Sequence, residues 1–423
     1  MSQTVAQLAS AAGQAANAGR WQEAERLWRE VRQLEPNNPQ ALFSLGIHAL
    51  QRGERDAGLQ LLQAASKAAP HDKAVLLTLA NVQRQRGDAA AEREAIDAAL
   101  AVDPYFIPAL LARGNWLERH GSAAAAAATY RNALKIAPPE SHWPAAHREQ
   151  LLHAREVAAR HSRELTAALL QRLDGVSSEL PAESVSRWRE AASIMGGSSV
   201  PYRSESNQLY VPRLPAIPFF DPAQFPWVSA LEAKTDVIRA ELDAALATRR
   251  DRFSPYIAYN PGDPVNQWRE LNHSDRWSVL HLWRAGEPVE ENLAQCPATA
   301  AALTKVDAAD IGGLCPNAIF SALAPRTHIP PHNGETNARL VAHLPLIVPP
   351  RCQLRVGFET REWQVGKVMI FDDTLEHEAR NDSDELRVVL IFDVWNPLLA
   401  PEERTAVRTL AAAAREFAQR YGI

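Results

Sequence analysis

The hydrophobic pattern changes period along the chain. Over the first third, apolar and small residues recur three and four positions apart, the spacing that lines one face of a helix. The helices themselves recur. Prolines stand at 36, 70, 104 and 138 and glycines at 19, 53, 87 and 121, each series 34 residues apart. Two further series, Ala12, Gly46, Ala80, Gly114 and Val31, Ala65, Ala99, Ala133, keep the same interval. Each unit reads as two helices. The glycine sits in the turn between them, where a positive φ is often required, and the proline follows the second helix, which it cannot extend. Four units occupy about residues 3–140. Residues 149–172 keep a helical period through Leu151, Leu152, Val157, Leu165 and Leu169, which suits a helix capping the open end of a stack.

After residue 173 the texture breaks. DGVSSELPAES and MGGSSVPYRSES are rich in Ser, Gly and Pro, as linkers are. An extended, proline-punctuated stretch follows, then an amphipathic helix from about Val228. From about residue 276 the pattern is that of strands: WSVLHLW, AIFSALA, RLVAHLPLIV, QLRVGF, KVMIF and LRVVLIFDVW are short runs of Val, Ile, Leu and aromatics with turn residues between them. Short strands without intervening helices predict an antiparallel sandwich or jelly-roll barrel. PEERTAVRTLAAAAREFAQRYG predicts a closing helix. The expected organisation is therefore an all-α solenoid over 1–140, a capping helix and linker over 141–197, and a β-rich domain over 198–423.

Composition narrows the function classes. A chain of 423 residues is too long for one ordinary core. With 46% hydrophobic and 22% charged residues it reads as a soluble globular protein. A net charge of -5 gives no electrostatic footprint for nucleic acid. No uncharged apolar run reaches the roughly 18 residues of a membrane span, and the first residues lack the positive n-region and apolar core of a signal peptide. Three scattered cysteines, Cys296, Cys315 and Cys352, fit neither a disulfide framework nor a zinc knuckle. A cytoplasmic protein is the simplest reading.

Four polar residues interrupt the apolar strands: His332, His343, His377 and Arg387. Iron that activates dioxygen needs few protein ligands and several open positions, and two histidines with one carboxylate on one face are the usual solution. An α-keto acid cosubstrate also needs a cation for its far carboxylate, which the planar fork of arginine matches. Taken singly, a strand histidine is usually a satisfied core residue and an arginine a surface charge; their joint spacing is what points to a site. Two positions after His332, where a carboxylate would complete a metal site, stands Gly334. Glu335 is three residues from His332, and alternation along a strand turns it to the other side. Asp372 and Asp373 read either as acceptors that orient a ligand imidazole or as a turn pair.

FPWVSALE, WSVLHLW, the strand holding Ser321, PHNGETNARLVAHLPLIVP, GKVMIFDDTLEHEARN and LRVVLIFDVWNP run in an order that resembles the aspartyl/asparaginyl β-hydroxylase family of Fe(II)/2-oxoglutarate dioxygenases. The 34-residue period resembles the tetratricopeptide repeat, which animal members of that family also carry ahead of the catalytic domain. The resemblance implies that the β-rich domain is a double-stranded β-helix (a cupin-like jelly roll), with a metal held by His332 and His377 alone and Gly334 as a vacant ligand position. It also implies 2-oxoglutarate bound by Arg387, Ser321 and His343, with O2 as co-reactant. The implied reaction is hydroxylation of an unactivated C–H bond, on an Asp/Asn-type residue of a peptide or protein presented by the solenoid. Three alternatives stay open: hydroxylation of a small molecule or acyl chain, halogenation at the vacant position, and a catalytically inactive repeat scaffold. One departure bears on the substrate. Where animal members have a second arginine in NxRLRxHL, this chain has Val341, although Arg339 remains on the same side of the strand.

Overall fold

The computed structural model describes residues 2–421, and its contacts divide them into two compact units that meet between Ser198 and Ser199. The first unit is wholly helical. Four antiparallel pairs follow one another: α1 (Ser2–Asn17) with α2 (Trp21–Leu34), α3 (Pro39–Gln51) with α4 (Arg55–Ala68), α5 (Lys73–Arg86) with α6 (Ala89–Val102), and α7 (Ile107–Arg119) with α8 (Ala123–Ile136). The glycines of the 34-residue series turn the chain within each pair, all with φ between +72° and +87°. Pro36, Pro70, Pro104 and Pro138 each lie two residues beyond the second helix of a pair. The small-residue series sits where paired helices approach: Ala12 and Ala80 are buried, and Gly114 faces the ring of buried Tyr130. Helix α9 (Ala145–Asp174) packs on α7 and α8 through Leu151, Ala154 and Val157, and α10 (Ala182–Gly196) packs back on α9. That last helix occupies a stretch whose flanks the sequence marked as linker.

The second unit is built on two antiparallel sheets. Its strands are β1 (Phe219–Phe220), β2 (Ser254–Pro255), β3 (Trp277–Arg284), β4 (Glu287–Pro288), β5 (Ala318–Leu323), β6 (Thr327–His332), β7 (Arg339–Ile347), β8 (Cys352–Val356), β9 (Glu359–Glu362), β10 (Met369–Phe371), β11 (His377–Asn381) and β12 (Arg387–Trp395). The major sheet runs β1-β10-β7-β12-β5-β3-β2, with β4 paired to β3; the minor sheet runs β6-β11-β8-β9. The helix expected from Val228 is broken into α11 (Val228–Glu232) and α12 (Thr235–Thr248). Two short helices, α13 (Glu290–Leu293) and α14 (Pro297–Leu303), stand between β4 and β5, where uninterrupted strands were expected. A long helix, α15 (Pro401–Tyr421), closes the unit. Among the described residues, no helix is long and apolar enough to cross a membrane.

Period two fixes which side chains face which layer. On β7, Leu340, Ala342, Leu344 and Leu346 point to one core, together with Leu390 and Phe392 of β12 and with Ile238 and Leu242 of α12. The opposite face of the same strands joins a second core with Leu354, Val356 and Ala379 of the minor sheet. Both faces of β7 are therefore covered, which is why its run reads as almost continuously apolar. Pro330 and Pro331 lie inside β6, the edge of the minor sheet, where a missing N–H costs no ladder bond.

The two helical glycine environments in the first unit separate by experiment. Nothing lies within 4 Å of a Cβ added at Gly13, so Gly13→Ala is expected to stabilise by about 0.5–1 kcal/mol. A Cβ at Gly114 would stand 2.2 Å from Cε1 of Tyr130, so Gly114→Ala is expected to destabilise by about 1–3 kcal/mol. Urea unfolding followed by helical circular dichroism should give shifts of opposite sign.

Candidate active site

The inward face of the major sheet carries its polar residues in rows. The innermost row joins Arg387, Leu323 and Trp277; the next holds Ser321 and Val389; the third holds His281, Ile319, Ile391 and His343; the fourth holds Asp393, Val341 and Phe371. Across from these rows the minor sheet supplies Ile329, Leu354, Ala379 and the two histidines. Together they enclose a cavity of about 590 Å³ that takes in Ser321, His332, His343, His377 and Arg387. All five residues singled out in the sequence thus line one space.

His332 ends β6 and His377 begins β11, and the two are direct partners in the ladder. Their rings stand 4.0 Å apart, centroid to centroid. Each imidazole is oriented by a backbone carbonyl two residues earlier: Nδ1 of His332 donates to Pro330 O at 2.8 Å, and Nδ1 of His377 to Leu375 O at 3.1 Å. Nδ1 of each ring is taken, so each Nε2 is left with a lone pair, which is the form in which histidine binds a metal. Burial pushes His332 down to about 3, helped by the neighbouring His377, and burial pushes His377 down to about 4. Both rings are therefore neutral at pH 7. The orienting acceptors are carbonyls and not the aspartates considered from sequence. Asp372 is a turn residue, accepting from Thr374 N at 3.0 Å and from Thr374 Oγ1 at 2.5 Å, and burial raises it to about 6.

At the inner end, Arg387 is 1% exposed, and its Nε and Nη1 have no hydrogen-bond partner among the described residues. Burial lowers its basicity to about 10, and no carboxylate acts on it. Asp393, at the far end of the same strand, is engaged elsewhere: Oδ2 accepts from Asn317 N and Nδ2, and Oδ1 lies 3.2 Å from Arg339 Nε. Ser321 Oγ accepts from Trp277 Nε1 at 3.1 Å, and His343, held neutral by burial and by Arg387, completes the inner end. Two tryptophans, Trp277 and Trp363, touch these polar groups. Trp277 lies in the quoted motif WSVLHLW, whereas Trp363 lies in none, and neither strand nor helix periodicity marks it.

Side-chain space at Gly334 is crowded. Its N–H donates to Asp373 O at 2.7 Å, and a Cβ added at 334 would stand 2.0 Å from Asp373 Oδ2. The space that a residue-334 side chain would need is filled by the Asp373 carboxylate. That carboxylate is held from the other side by Arg339, whose Nη1 lies 2.7 Å from Asp373 Oδ1, with Glu335 Oε2 at 3.6 Å from Nη2. An aspartate at 334 could add a third ligand only if the Asp373 carboxylate moved aside. Among the described residues, no group of three or more His, Cys, Asp or Glu side chains is arranged to hold a metal. Arg339 shares the inward face with Val341 and His343 as expected, but its charge is already met by Asp373, Asp393 and Glu335.

The crowding at Gly334 gives a direct test. Gly334→Ala is expected to destabilise by about 1–3 kcal/mol, the cost of overpacking a filled core. The loss should shrink when Asp373 is also changed to Ala, because neighbours that share a clash are not additive. Denaturant midpoints of the two single variants and the double variant measure the coupling. An unshifted midpoint in Gly334→Ala would mean that Asp373 swings aside freely.

Comparison with known proteins follows the same division of the chain. Residues 232–397 match the profile of the Aspartyl/Asparaginyl beta-hydroxylase family, and residues 15–82 match a tetratricopeptide repeat profile. The ornithine lipid ester-linked acyl 2-hydroxylase of Rhizobium tropici is 37% identical over 201 residues, 47% of this chain and 67% of that protein. Human aspartyl/asparaginyl beta-hydroxylase is 34% identical over 182 residues, 43% of this chain but 22% of that protein. Human aspartate beta-hydroxylase domain-containing protein 2 is 30% identical over 223 residues, 52% of this chain and 58% of that protein. A helical repeat unit followed by antiparallel sheets, and a relative whose length is two-thirds matched, leave one assignment: the chain belongs to the aspartyl/asparaginyl beta-hydroxylase family and carries tetratricopeptide repeats.

Proposed function

We propose that the chain is a hydroxylase dependent on Fe(II) and 2-oxoglutarate, with O2 as co-reactant. The observation that carries this reading is the buried guanidinium of Arg387, which has no anionic partner among the described residues and faces the cavity that also holds two neutral imidazoles. An unpaired buried cation is costly, and a bound dicarboxylate would relieve it. His332 and His377 would hold the metal through Nε2. Arg387, Ser321 and His343 would hold the far carboxylate of 2-oxoglutarate. Bound iron would supply the oxidising chemistry on an unactivated C–H bond. The protein's own part is to keep both imidazoles neutral, hold the cosubstrate by its far end, and exclude water with Trp268, Trp277 and Phe371 around the histidines.

Two substrate readings follow the two kinds of relative. One is an Asp/Asn-type residue of a peptide or protein presented by the repeats, in line with the beta-hydroxylases. The other is an acyl chain, in line with the name of the Rhizobium tropici protein. Part of the cavity wall favours the second: Ile319, Val341 and Ile391 are aliphatic and Arg339 is already paired with carboxylates, so that outside the cosubstrate end Arg284 is the lining arginine left for an acidic side chain to meet. Halogenation is disfavoured for a related reason: beside Gly334 a halide would meet the carboxylate of Asp373. Incubation with 2-oxoglutarate, Fe(II) and either an ester-linked acyl lipid or an Asp/Asn-containing peptide, followed by mass spectrometry, decides between them. We expect one oxygen atom to be gained by the lipid and not by the peptide; the reverse result restores the peptide reading.

The cosubstrate end is tested by calorimetric titration of the Mn(II)-loaded full chain with 2-oxoglutarate under argon. Arg387→Ala should weaken binding by about 2–5 kcal/mol, the range for removing one partner of a buried charge pair. Ser321→Ala should cost about 0.5–1.5 kcal/mol, the net worth of one hydrogen bond. No binding by the unmodified chain would sink the dioxygenase reading and leave a repeat scaffold.

A further inference from the structure

Trp363 follows β9 in the polar turn that leads to β10, yet it is 4% exposed and packs in the core between the two sheets. It touches both polar groups that flank the inner end of the cavity. Its indole Nε1–H donates to Nδ1 of His343 at 3.1 Å. The guanidinium carbon of Arg387 lies 4.7 Å from its ring centroid, within range of a cation–π contact.

The first contact has a strict consequence. A neutral imidazole has one N–H and one bare nitrogen, and an indole N–H can only donate. Nδ1 of His343 must therefore be the bare nitrogen, which leaves the ring proton on Nε2. Left to itself, a neutral imidazole has the choice of two tautomers; Trp363 removes it. Trp277 biases Ser321 in the same direction, because its indole N–H fills an acceptor position on Oγ and turns the hydroxyl proton elsewhere. Two indoles thus set the hydrogen-bond polarity of the inner end. It offers N–H and O–H donors from Arg387, His343 and Ser321 together, which is what a carboxylate needs.

We infer that Trp363 is a positioning residue for cosubstrate binding: its N–H holds His343 in the Nε2–H tautomer and its ring steadies Arg387, so that both present donors to one carboxylate. The inference rests on the reading that this cavity takes 2-oxoglutarate, and its test separates the two. Long-range ¹H–¹⁵N correlation spectra of the metal-free full chain, with His343 identified by its loss in His343→Asn, report the tautomer without any ligand. The unmodified chain should show Nε2–H alone. Trp363→Phe keeps a ring near Arg387 but lacks the N–H, and should show both tautomers. By calorimetry on the Mn(II)-loaded chain, Trp363→Phe should bind 2-oxoglutarate about tenfold more weakly, the scale of one lost hydrogen bond and its alignment. An Nδ1–H signal from His343 in the unmodified chain overturns the inference, whether or not the variant folds. So does a Trp363→Phe protein with an unchanged tautomer and unchanged affinity. Failure of the unmodified chain to bind 2-oxoglutarate defeats the cosubstrate reading instead, and leaves the tautomer result to stand by itself.

Discussion

The site depends on the packing of α11, α12 and α14 against one face of the major sheet. Phe320, Leu340, Leu344, Leu390 and Phe392 commit that face to the helices. Because side chains alternate along a strand, the residues between them are committed to the opposite face. On β7 these are Arg339, Val341 and His343; on β12 they are Arg387, Val389, Ile391 and Asp393. The minor sheet then covers them. A row of polar groups that would face water in a one-layer sheet is enclosed instead, where charges and hydrogen bonds act at short range with little screening.

Within this enclosure two arginines meet opposite fates. Arg339 is 4% exposed and surrounded by Asp373, Asp393 and Glu335; Arg387 is 1% exposed and has no carboxylate partner among the described residues. The difference is one of position along the sheet. Arg339 begins β7 beside the loop that carries Gly334, Glu335 and Asn337, which is pinned by Asn207 N–H to Gly334 O and by Asn337 to Val211. Arg387 begins β12 just after a turn held by Asn381, whose Nδ2 donates to the carbonyls of Leu323, Ala324 and Glu385. That turn carries Asp382, Asp384 and Glu385, but among the described residues none of them pairs with Arg387; Asp384 faces Arg326 and Arg351 instead. A charge left uncompensated at such a burial cost is where an anionic ligand gains most, whereas a charge already compensated contributes little to recognition.

The helical unit contributes by a different route. Its stability comes from repeated contacts between neighbours, so each pair of helices needs a close approach, a turn glycine and a stopping proline, and little else is constrained. Among the described residues of this unit, many ion pairs are exposed, such as Arg26–Glu30 and Arg52–Glu54, and are of the kind that contributes little to stability.

By itself the sequence determined whatever is local or periodic. The 34-residue interval specified four helix pairs because the turn glycines, the prolines and the small contacts are each set by residue type within a few positions. The β texture after residue 276 specified strands, and the joint spacing of His332, His343, His377 and Arg387 specified that they share a site. What tertiary structure alone decided is which atoms occupy the space between distant segments. Gly334 read as a gap, but Asp373, thirty-nine residues later, fills it because β6 and β11 pair at His332 and His377. Arg339 read as available, but Asp393 reaches it only because β12 lies beside β7. Trp363 had no pattern at all, since a side chain that packs between two sheets from a turn follows neither period two nor period 3.6. Periodicity records which face a residue takes; it does not record what another strand brings to that face.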